Sequence, residues 1–337
     1  MSEIRQDPTT REWVIIAPER AKRPQHEPDN TPTDIPEWEA SCPFCPGNEN
    51  QTPDEILRLP ASATASDWQV RVIPNRFGAL HSSGDTGRKT AGDLFRKMDG
   101  VGVNEVIIET PSHNTPMALM TYKQVENVLI AYKERYNSLK KIRQLKFITI
   151  FQNHGWSSGT SLIHPHSQLV ATPVASPYYR RKYEVAINYY DDVGKCLYCD
   201  LIDEELNLGE RIVAETGGFI VIHPFASRVP YETWIIPKEH RASFGLCPSA
   251  YLTELSVVLK NTLLCLYKEL GNPDFNYMFD TSTTDDEEDP HYHWHIRIVP
   301  RLTTVAGFEM GSGIYISTEI PEETAKIMKK CVGSIKT

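Results

Sequence analysis

Residues 161–168, Ser-Leu-Ile-His-Pro-His-Ser-Gln, carry the side chains best suited to chemistry in this 337-residue chain. His164 and His166 are two residues apart, so on an extended backbone their rings point to the same side. Pro165 between them fixes one backbone torsion and holds the pair stiffly. An imidazole is mostly neutral near pH 7 and is then nucleophilic. The motif predicts an active-site strand; a pair of hydrogen-bonded core histidines is the alternative.

The residues just before this pair are rich in glycine and hydroxyl side chains. Residues 153–161 read Asn-His-Gly-Trp-Ser-Ser-Gly-Thr-Ser. A loop of this composition can bring backbone N–H groups against a phosphate. It matches neither the P-loop nor the dinucleotide-binding fingerprint. The segment therefore predicts a phosphate-containing substrate held next to a nucleophilic histidine.

Four of the seven cysteines form two C-x-x-C pairs, Cys42 with Cys45 and Cys196 with Cys199. In a reducing compartment such pairs indicate metal ligands or redox sites rather than structural disulfides. The redox interpretation is weaker, because neither pair lies in a thioredoxin-like βαβ context. Thiolates combined with imidazoles suit tetrahedral zinc.

The two cysteine pairs open two similar stretches of chain, which must position these groups. Each continues with an apolar strand pattern, a histidine, a long amphipathic helix, a strand and a histidine cluster. One helical face carries Val125, Val128, Leu129, Tyr132, Tyr136 and Leu139 in the first half and Leu252, Leu255, Leu259, Leu263, Leu266 and Leu270 in the second. The shared order predicts an internal duplication rather than a coincidence of common elements. We expect an α+β fold with halves at residues 1–175 and 176–337, each an antiparallel sheet with a packed helix.

Composition and charge limit the function classes. Charged residues make up 23% and hydrophobic residues 40%, which is typical of a globular protein with a real core. The formal net charge of -9 disfavours general nucleic-acid binding, since phosphate backbones reward a basic surface. No window approaches the ~20 apolar residues of a transmembrane helix. The start, MSEIRQDPTTREW, lacks the apolar stretch of a signal peptide, which predicts a cytoplasmic protein.

Several separated motifs together resemble the histidine-triad superfamily, and within it the galactose-1-phosphate uridylyltransferase family. The resemblance runs through nearly the whole chain. The matching segments are DPTTREWVIIAPERAKRP, CPFCPGNE, VIPNRF, HPHSQ, WIIPKEH and HWHIRIVPRL. ADP-glucose phosphorylase, in which inorganic phosphate accepts the nucleotidyl group, shares these motifs.

The resemblance implies a ping-pong reaction through a nucleotidyl-histidine. A nucleoside diphosphate sugar gives its nucleoside monophosphate to His166, and a hexose 1-phosphate then takes it. Gln168 and Ser161 are implied as catalytic partners of His166. The substrate-binding residues implied by the motifs are Arg20, Arg23, Asn75, Arg76, Phe77, Asn153, Gly159, Gly307, Phe308, Glu309, Gly311 and Ser312. For Phe77 the alternative interpretation is a residue of the hydrophobic core. For Arg20 and Arg23 the alternative is a solvated basic turn without a role in binding.

The resemblance also assigns metal ligands and an assembly. It implies zinc on Cys42, Cys45, His113 and His164. The duplicated half offers Cys196, Cys199, His240 and His293 for a second metal, zinc or iron, although some family members place a carboxylate in that site. His293 is preferred over His291 and His295, which compete for the same position. The family resemblance further implies that the two sheets join and that the protein is a homodimer.

The implied activity is UDP-glucose:galactose-1-phosphate uridylyltransferase, with nucleotide sugar and hexose 1-phosphate as partners. The alternatives are ADP-glucose phosphorylase, a histidine-triad nucleotide hydrolase with water as acceptor, and a zinc-stabilised nucleotide-sugar binding protein. The 307–313 run is nearer the phosphorylase pattern, which leaves the sugar and the acceptor open.

Overall fold

The computed structural model of this protein describes residues 2–22, 34–62 and 67–335. The strands are β1 (Glu3–Gln6), β2 (Trp13–Ile16), β3 (Leu57–Leu59), β4 (Val70–Pro74), β5 (Lys89–Ala91), β6 (Phe95–Lys97), β7 (Val103–Ile108), β8 (Phe147–His154), β9 (His166–Thr172), β10 (Ile212–Glu215), β11 (Phe219–Ile222), β12 (Thr233–Pro237), β13 (Phe275–Asp280), β14 (His295–Pro300) and β15 (Tyr315–Ser317). The helices are α1 (Tyr122–Leu139), α2 (Pro177–Val193), α3 (Leu197–Leu208), α4 (Ser249–Leu270), α5 (Gly307–Ser312) and α6 (Pro321–Ser334).

The centre of the molecule is one antiparallel sheet of ten strands, ordered β10-β11-β12-β14-β13-β8-β9-β7-β4-β3. From one edge to the centre the order is β3-β4-β7-β9-β8, and from the other edge it is β10-β11-β12-β14-β13. In both halves the last two strands are reversed relative to the sequence, and the halves meet where β8 pairs with β13. The predicted α+β fold of duplicated antiparallel halves is therefore confirmed. The division of the chain at residue 175 stays a prediction.

Helices α1 and α4 cover one face of this sheet and also pack against each other. The residues predicted for their inner faces are buried, except that Leu270 is half-buried at the C-terminal end of α4. Thr121 begins α1 with a capping box formed with Gln124. Gly271 ends α4 in a left-handed conformation that glycine adopts without steric cost. Sequence periodicity and end signals therefore agree with both helices.

The opposite face of the sheet is covered differently in the two halves. Over the second half, α2 and α3 pack on β11 and β12 through Tyr179, Ala186, Tyr198 and Ile202. Over the first half, a cluster around Phe44 and Trp68 packs on β4 and β7. Helix α3 was not predicted from the sequence, and Cys196 is its N-cap residue.

A small sheet joins the two ends of the described chain. Its order is β1-β2-β15, and β15 runs parallel to β2. Arg5 of β1 pairs with Glu322 of α6, with Nη1 2.9 Å from Oε1. No helix within the described residues is both long and apolar enough to cross a lipid bilayer.

Candidate active site and metal centres

The first cysteine pair and two histidines converge on one point beneath β7 and β9. Cys42 Sγ lies 3.7 Å from His164 Nδ1, and Cys45 Sγ lies 3.5 Å from His113 Nδ1 and 3.6 Å from His164 Nδ1. All four ligand atoms lie within 4.8 Å of one another. Tetrahedral zinc with ordinary Zn–S and Zn–N bonds separates sulfur from nitrogen by about 3.6 Å. The four side chains therefore fit such an ion.

Backbone contacts hold the two histidines of this cluster in place. His164 Nε2 lies 2.8 Å from the carbonyl oxygen of Thr110, so Nε2–H donates and Nδ1 keeps its lone pair for a metal. The backbone N–H of His113 donates to Glu37 O at 2.8 Å. Burial lowers the pKa of His164 to about 4 and raises the pKa of Cys42 to about 11. A divalent cation would supply the positive charge that a buried thiolate needs here.

The second cysteine pair forms a matching cluster in the other half. Cys199 Sγ lies 3.5 Å from His240 Nδ1 and 3.8 Å from His293 Nδ1. His240 Nε2–H donates to Asp289 O at 3.0 Å, which again leaves Nδ1 for a metal. With Cys196, the ligand atoms lie within 4.8 Å of one another. The structure therefore groups His293, rather than His291 or His295, with the cysteines.

His166 is the first residue of β9 and faces away from α1. Its Nδ1 lies 2.9 Å from His164 O, so Nδ1–H donates and the lone pair belongs to Nε2. No described residue hydrogen-bonds Nε2. Burial lowers the pKa of His166, which keeps the ring neutral at pH 7. The Phe44 ring meets it edge-on at 5.4 Å between centroids. The result is a neutral, oriented imidazole with one nitrogen available.

A cleft of about 860 Å³ opens at this end of the sheet, and His166 lines it. The glycine-rich loop forms one wall: Gly155 has φ +81° and Gly159 has φ +92°, in the region that favours glycine. The Ser157 N–H donates to Asp274 Oδ2 at 2.7 Å, which ties the loop to the second half. A Cβ atom on Gly155 would lie 1.7 Å from Asp274 Oδ1. Glycine is therefore required at position 155 by close approach as well as by conformation.

Several residues implied by the resemblance surround His166. Asn153 lines the cleft beside the Gly155–Gly159 loop. Gln168 is half-buried on the same face of β9 as His166, and its Oε1 accepts from Asn75 Nδ2 at 3.4 Å. Ser161 is exposed between cleft-lining residues 160 and 162.

The remaining implied residues within the described part of the chain do not line the cleft. Arg20 is exposed in the 3₁₀ turn after β2, and Arg23 lies outside the described residues. Arg76 is exposed, and Phe77 is 86% exposed, so the alternative of a core position for Phe77 is wrong. Gly307, Phe308, Glu309, Gly311 and Ser312 form α5, which packs against β15.

Two residues of the second half that the sequence did not suggest adjoin this cleft. Asn276 on β13 donates through Nδ2 to Asn153 Oδ1 at 2.7 Å and to Ser158 O at 2.9 Å. Arg301 lines the cleft, and its Nε donates to Asn276 Oδ1 at 2.6 Å. The closing segment HWHIRIVPRL contains Arg301, but only the β8–β13 pairing brings it here.

A buried polar cluster beneath β9 was also missed. Glu109 is fully buried; its Oε1 accepts from Tyr132 at 2.9 Å and its Oε2 accepts from Gln152 at 2.6 Å. Tyr132 also bonds Ser167, between His166 and Gln168, at 2.7 Å. Burial raises the pKa of Glu109 to about 7. The polar periodicity of β9 explains the cluster, because Ser167 points to the helix side.

The second half contains a counterpart of His166 that is closed off. His295 Nδ1 lies 3.1 Å from His293 O, as in the first half. Its Nε2 lies 3.2 Å from both Lys182 Nζ and Asp280 Oδ2, and Lys182 is fully buried. Although burial alone would raise it, the Lys182 and Arg297 charges hold the pKa of Asp280 well below its usual range. His295 therefore has no free nitrogen.

Comparisons with known proteins agree with these features. The family model described as galactose-1-phosphate uridyl transferase, N-terminal domain, matches residues 1–176. An ADP-glucose phosphorylase of Arabidopsis thaliana is 35% identical over 331 residues, covering 97% of this chain and 92% of that protein. A galactose-1-phosphate uridylyltransferase of Thermotoga maritima is 30% identical over 339 residues, covering 98% of each.

Solved structures give the same result for the fold. The crystal structure of an ADP-glucose phosphorylase from Arabidopsis thaliana with bound ADP-glucose matches with a TM-score of 0.84 at 34% identity, over 98% of both chains. A uridylyltransferase structure matches with a TM-score of 0.75 at 26% identity, over 99% of both chains. The likeness therefore extends over the whole chain, beyond the part that the family model matches.

Proposed function

Because this chain belongs to the galactose-1-phosphate uridyl transferase family, we propose that it transfers a nucleoside monophosphate from a nucleoside diphosphate sugar through a covalent intermediate on His166. The observation that carries this proposal is the bond from His166 Nδ1–H to His164 O, which leaves Nε2 as a neutral nucleophile at the cleft. A covalent intermediate splits one difficult transfer into two easier ones.

The proposed reaction has two steps, each of which forms one bond to phosphorus and breaks another. His166 Nε2 attacks the phosphorus next to the nucleoside, an N–P bond forms, and the P–O bond to the hexose 1-phosphate breaks. An acceptor oxygen then attacks the same phosphorus, and the N–P bond breaks to regenerate the imidazole. Nδ1–H stays bonded to His164 O throughout, so the carbonyl dipole stabilises the positive charge that the ring gains.

Neighbouring groups fit supporting roles in this reaction. Gln168 and Ser161 would donate to the phosphoryl oxygens, where charge must be stabilised in the transition state. Asn153 and Gly159, at the glycine-rich loop, would lie against the adjacent phosphate. Asn75, Arg76 and Phe77 would contact the base and ribose, and the exposed Phe77 ring is free to stack.

The metal clusters would have a structural role. We propose zinc on Cys42, Cys45, His113 and His164, because four protein ligands close the tetrahedron. His164 is both a ligand and the hydrogen-bond partner of His166, so a metal there would fix the active strand. Zinc is also proposed for the second cluster, where iron is the alternative metal.

The similarity to known relatives supports a choice of nucleotide and of acceptor for this chain. The ADP-glucose phosphorylase shares more identical residues with this chain, and its structure has the higher TM-score. This supports ADP-glucose as donor and inorganic phosphate as acceptor. Uridylyl transfer from UDP-glucose to galactose 1-phosphate is the second candidate, supported by the family match and the Thermotoga relative.

A homodimer is part of the proposal. Arg20 and residues 307–312 lie beside the small β1-β2-β15 sheet rather than along the cleft, so a second chain is needed for them to reach substrate. Light scattering of the purified protein at micromolar concentration tests the assembly, and a monomer would remove these residues from the substrate site.

The central test is labelling with a donor carrying ³²P in the phosphate next to the nucleoside. We expect acid-labile label on the wild-type chain and none on His166→Ala. Label retained by His166→Ala, or no label on wild type with either ADP-glucose or UDP-glucose, contradicts the proposal. Discharge of the labelled enzyme by inorganic phosphate, galactose 1-phosphate or water alone identifies the acceptor, and fast discharge by water alone would indicate a hydrolase.

A further inference from the structure

We infer that Arg301 binds the non-transferred phosphate, which leaves with the sugar in the first half-reaction and belongs to the acceptor in the second. This inference rests on the proposed function and extends it to a residue of the second half. Both phosphates occupy the same position next to the reacting phosphorus, so a single cationic side chain serves both half-reactions.

The position of Arg301 is set by strand pairing. Asn276 and Asn153 are register partners on β13 and β8, and β8 adjoins β9, which begins with His166. Neighbouring strands lie about 4.8 Å apart, so Asn276 is about two strand spacings from His166. Arg301 follows β14 and reaches Asn276 Oδ1 through Nε. Its guanidinium is therefore within the length of a nucleotide sugar from the reacting nitrogen.

The hydrogen bonds around Asn276 have only one consistent direction. Arg301 Nε is a donor only, so the atom of Asn276 that faces it must be Oδ1. The Ser158 carbonyl is an acceptor only, so it faces Asn276 Nδ2. Nδ2 also donates to Asn153 Oδ1, which turns the Asn153 amide group and leaves its Nδ2 hydrogens for a ligand. The second half of the chain thus orients both Arg301 and Asn153.

The charge of Arg301 is not neutralised by the described part of the protein. Only its Nε makes a side-chain hydrogen bond there, and no described carboxylate lies within ion-pair distance. Asp274, whose backbone carbonyl accepts from the Arg301 N–H at 2.8 Å, uses its carboxylate to accept from the Ser157 N–H instead. Among the described residues that line the cleft, Arg301 is the one arginine or lysine. Its terminal nitrogens are free to bind phosphate oxygens with the fork geometry that arginine favours.

The test compares ligands that contain or lack the second phosphate. In a His166→Ala background, which cannot turn over, calorimetry measures binding of ADP-glucose against AMP and of UDP-glucose against UMP. We expect Arg301→Gln to weaken binding of the preferred nucleotide sugar by about 10- to 100-fold, as for a lost charge-assisted hydrogen bond. Binding of the matching monophosphate should change less than twofold. Arg301→Lys should recover part of the loss, and Arg143→Gln, an exposed arginine in the α1–β8 connection, is the matched control.

The binding results test the role of Arg301, whereas labelling of the wild-type chain tests the proposed function. Equal weakening of both ligands would indicate a purely structural role for Arg301 and overturn the inference, and so would unchanged binding of both. In otherwise wild-type enzyme, Arg301→Gln should also raise the acceptor concentration for half-maximal discharge of the label by at least about tenfold. Failure of the wild-type chain to be labelled at all counts against the proposed function instead.

Discussion

The Nδ1 nitrogen of His166 is 2.9 Å from the carbonyl oxygen of His164, and the Nδ1 nitrogen of His295 is 3.1 Å from that of His293. Both halves of the chain therefore contain the same histidine arrangement next to a Cys/His cluster. They differ at Nε2, which is open to the cleft in His166 and enclosed by Lys182 and Asp280 in His295.

The first prediction is one nucleotidyl group per chain. His295→Gln should keep the label on His166 at wild-type stoichiometry, because the enclosed ring has no nitrogen free to attack. Mass spectrometry of the labelled peptides locates the modification. Label on the peptide that contains His295, or two labels per chain, would contradict this account.

Removal of a first-cluster thiolate should remove one metal ion. Cys42→Ser should lower the metal content by about one equivalent per chain and lower the stability of the fold, because binding free energy contributes to folding. Elemental analysis and thermal unfolding measure the two effects. Cys247→Ser is the matched control, since Cys247 is buried but lies outside both clusters. Equal metal loss in both variants would reject the ligand assignment.

The buried Glu109 predicts a pH-dependent stability. Its folded pKa of about 7 exceeds the ordinary value of 4.5, so the folded state holds a proton that the unfolded state releases between these values. The contribution to stability is therefore present below about pH 4.5 and is lost as the pH rises to about 7, by up to about 3 kcal/mol. Glu109→Gln mimics the protonated group and should flatten this part of the profile.

Urea unfolding of wild type and Glu109→Gln at several pH values between 5 and 8 measures the effect. Gln152 does not have to be changed in this variant, because the amide oxygen introduced at position 109 can still accept its hydrogen bond. A variant whose stability falls with pH as steeply as that of wild type would show that Glu109 is ionised in the folded protein.

Gly155 should be sensitive to a single methyl group. Gly155→Ala adds a Cβ that collides with Asp274 and strains a positive φ, so we expect a loss of about 1–3 kcal/mol and labelling slowed at least about tenfold. Gly209→Ala is the control, because Gly209 also has positive φ but no atom within 4 Å of the added Cβ. Its cost should be about 1 kcal/mol with labelling unchanged.

Much of the architecture could be predicted because it depends on patterns between residues that are close in sequence. The cysteine spacing, the periodicity of α1 and α4, and the alternation around His164 and His166 are short-range patterns. The preference for His293 over its neighbours follows from the duplication, because alternation alone places three histidines on one face of an extended chain. The structure groups it with Cys196 and Cys199.

The contributions of Asn276, Arg301 and Lys182 could not be predicted from the sequence. Asn276 contacts Asn153 and Lys182 contacts Asp280 across about a hundred positions or more, and Arg301 reaches the cleft only through its bond to Asn276. Nothing in the neighbouring sequence marks these residues for such contacts. Helix α3 differs, because the spacing of its cysteine pair indicates a metal site and not a helix, although Cys196 is the N-cap residue of α3.

The pairing of β8 with β13 in the middle of the sheet has a consequence for protein engineering. A fragment that stops after the first half would present β8 as an unprotected eight-residue edge, with backbone groups ready to recruit another strand. Such fragments should aggregate when expressed alone and regain solubility when both are produced together. A chain break in the exposed turn after α2 would leave the β8–β13 pairing intact, provided that both pieces are present. A nicked or circularly permuted chain should therefore assemble normally.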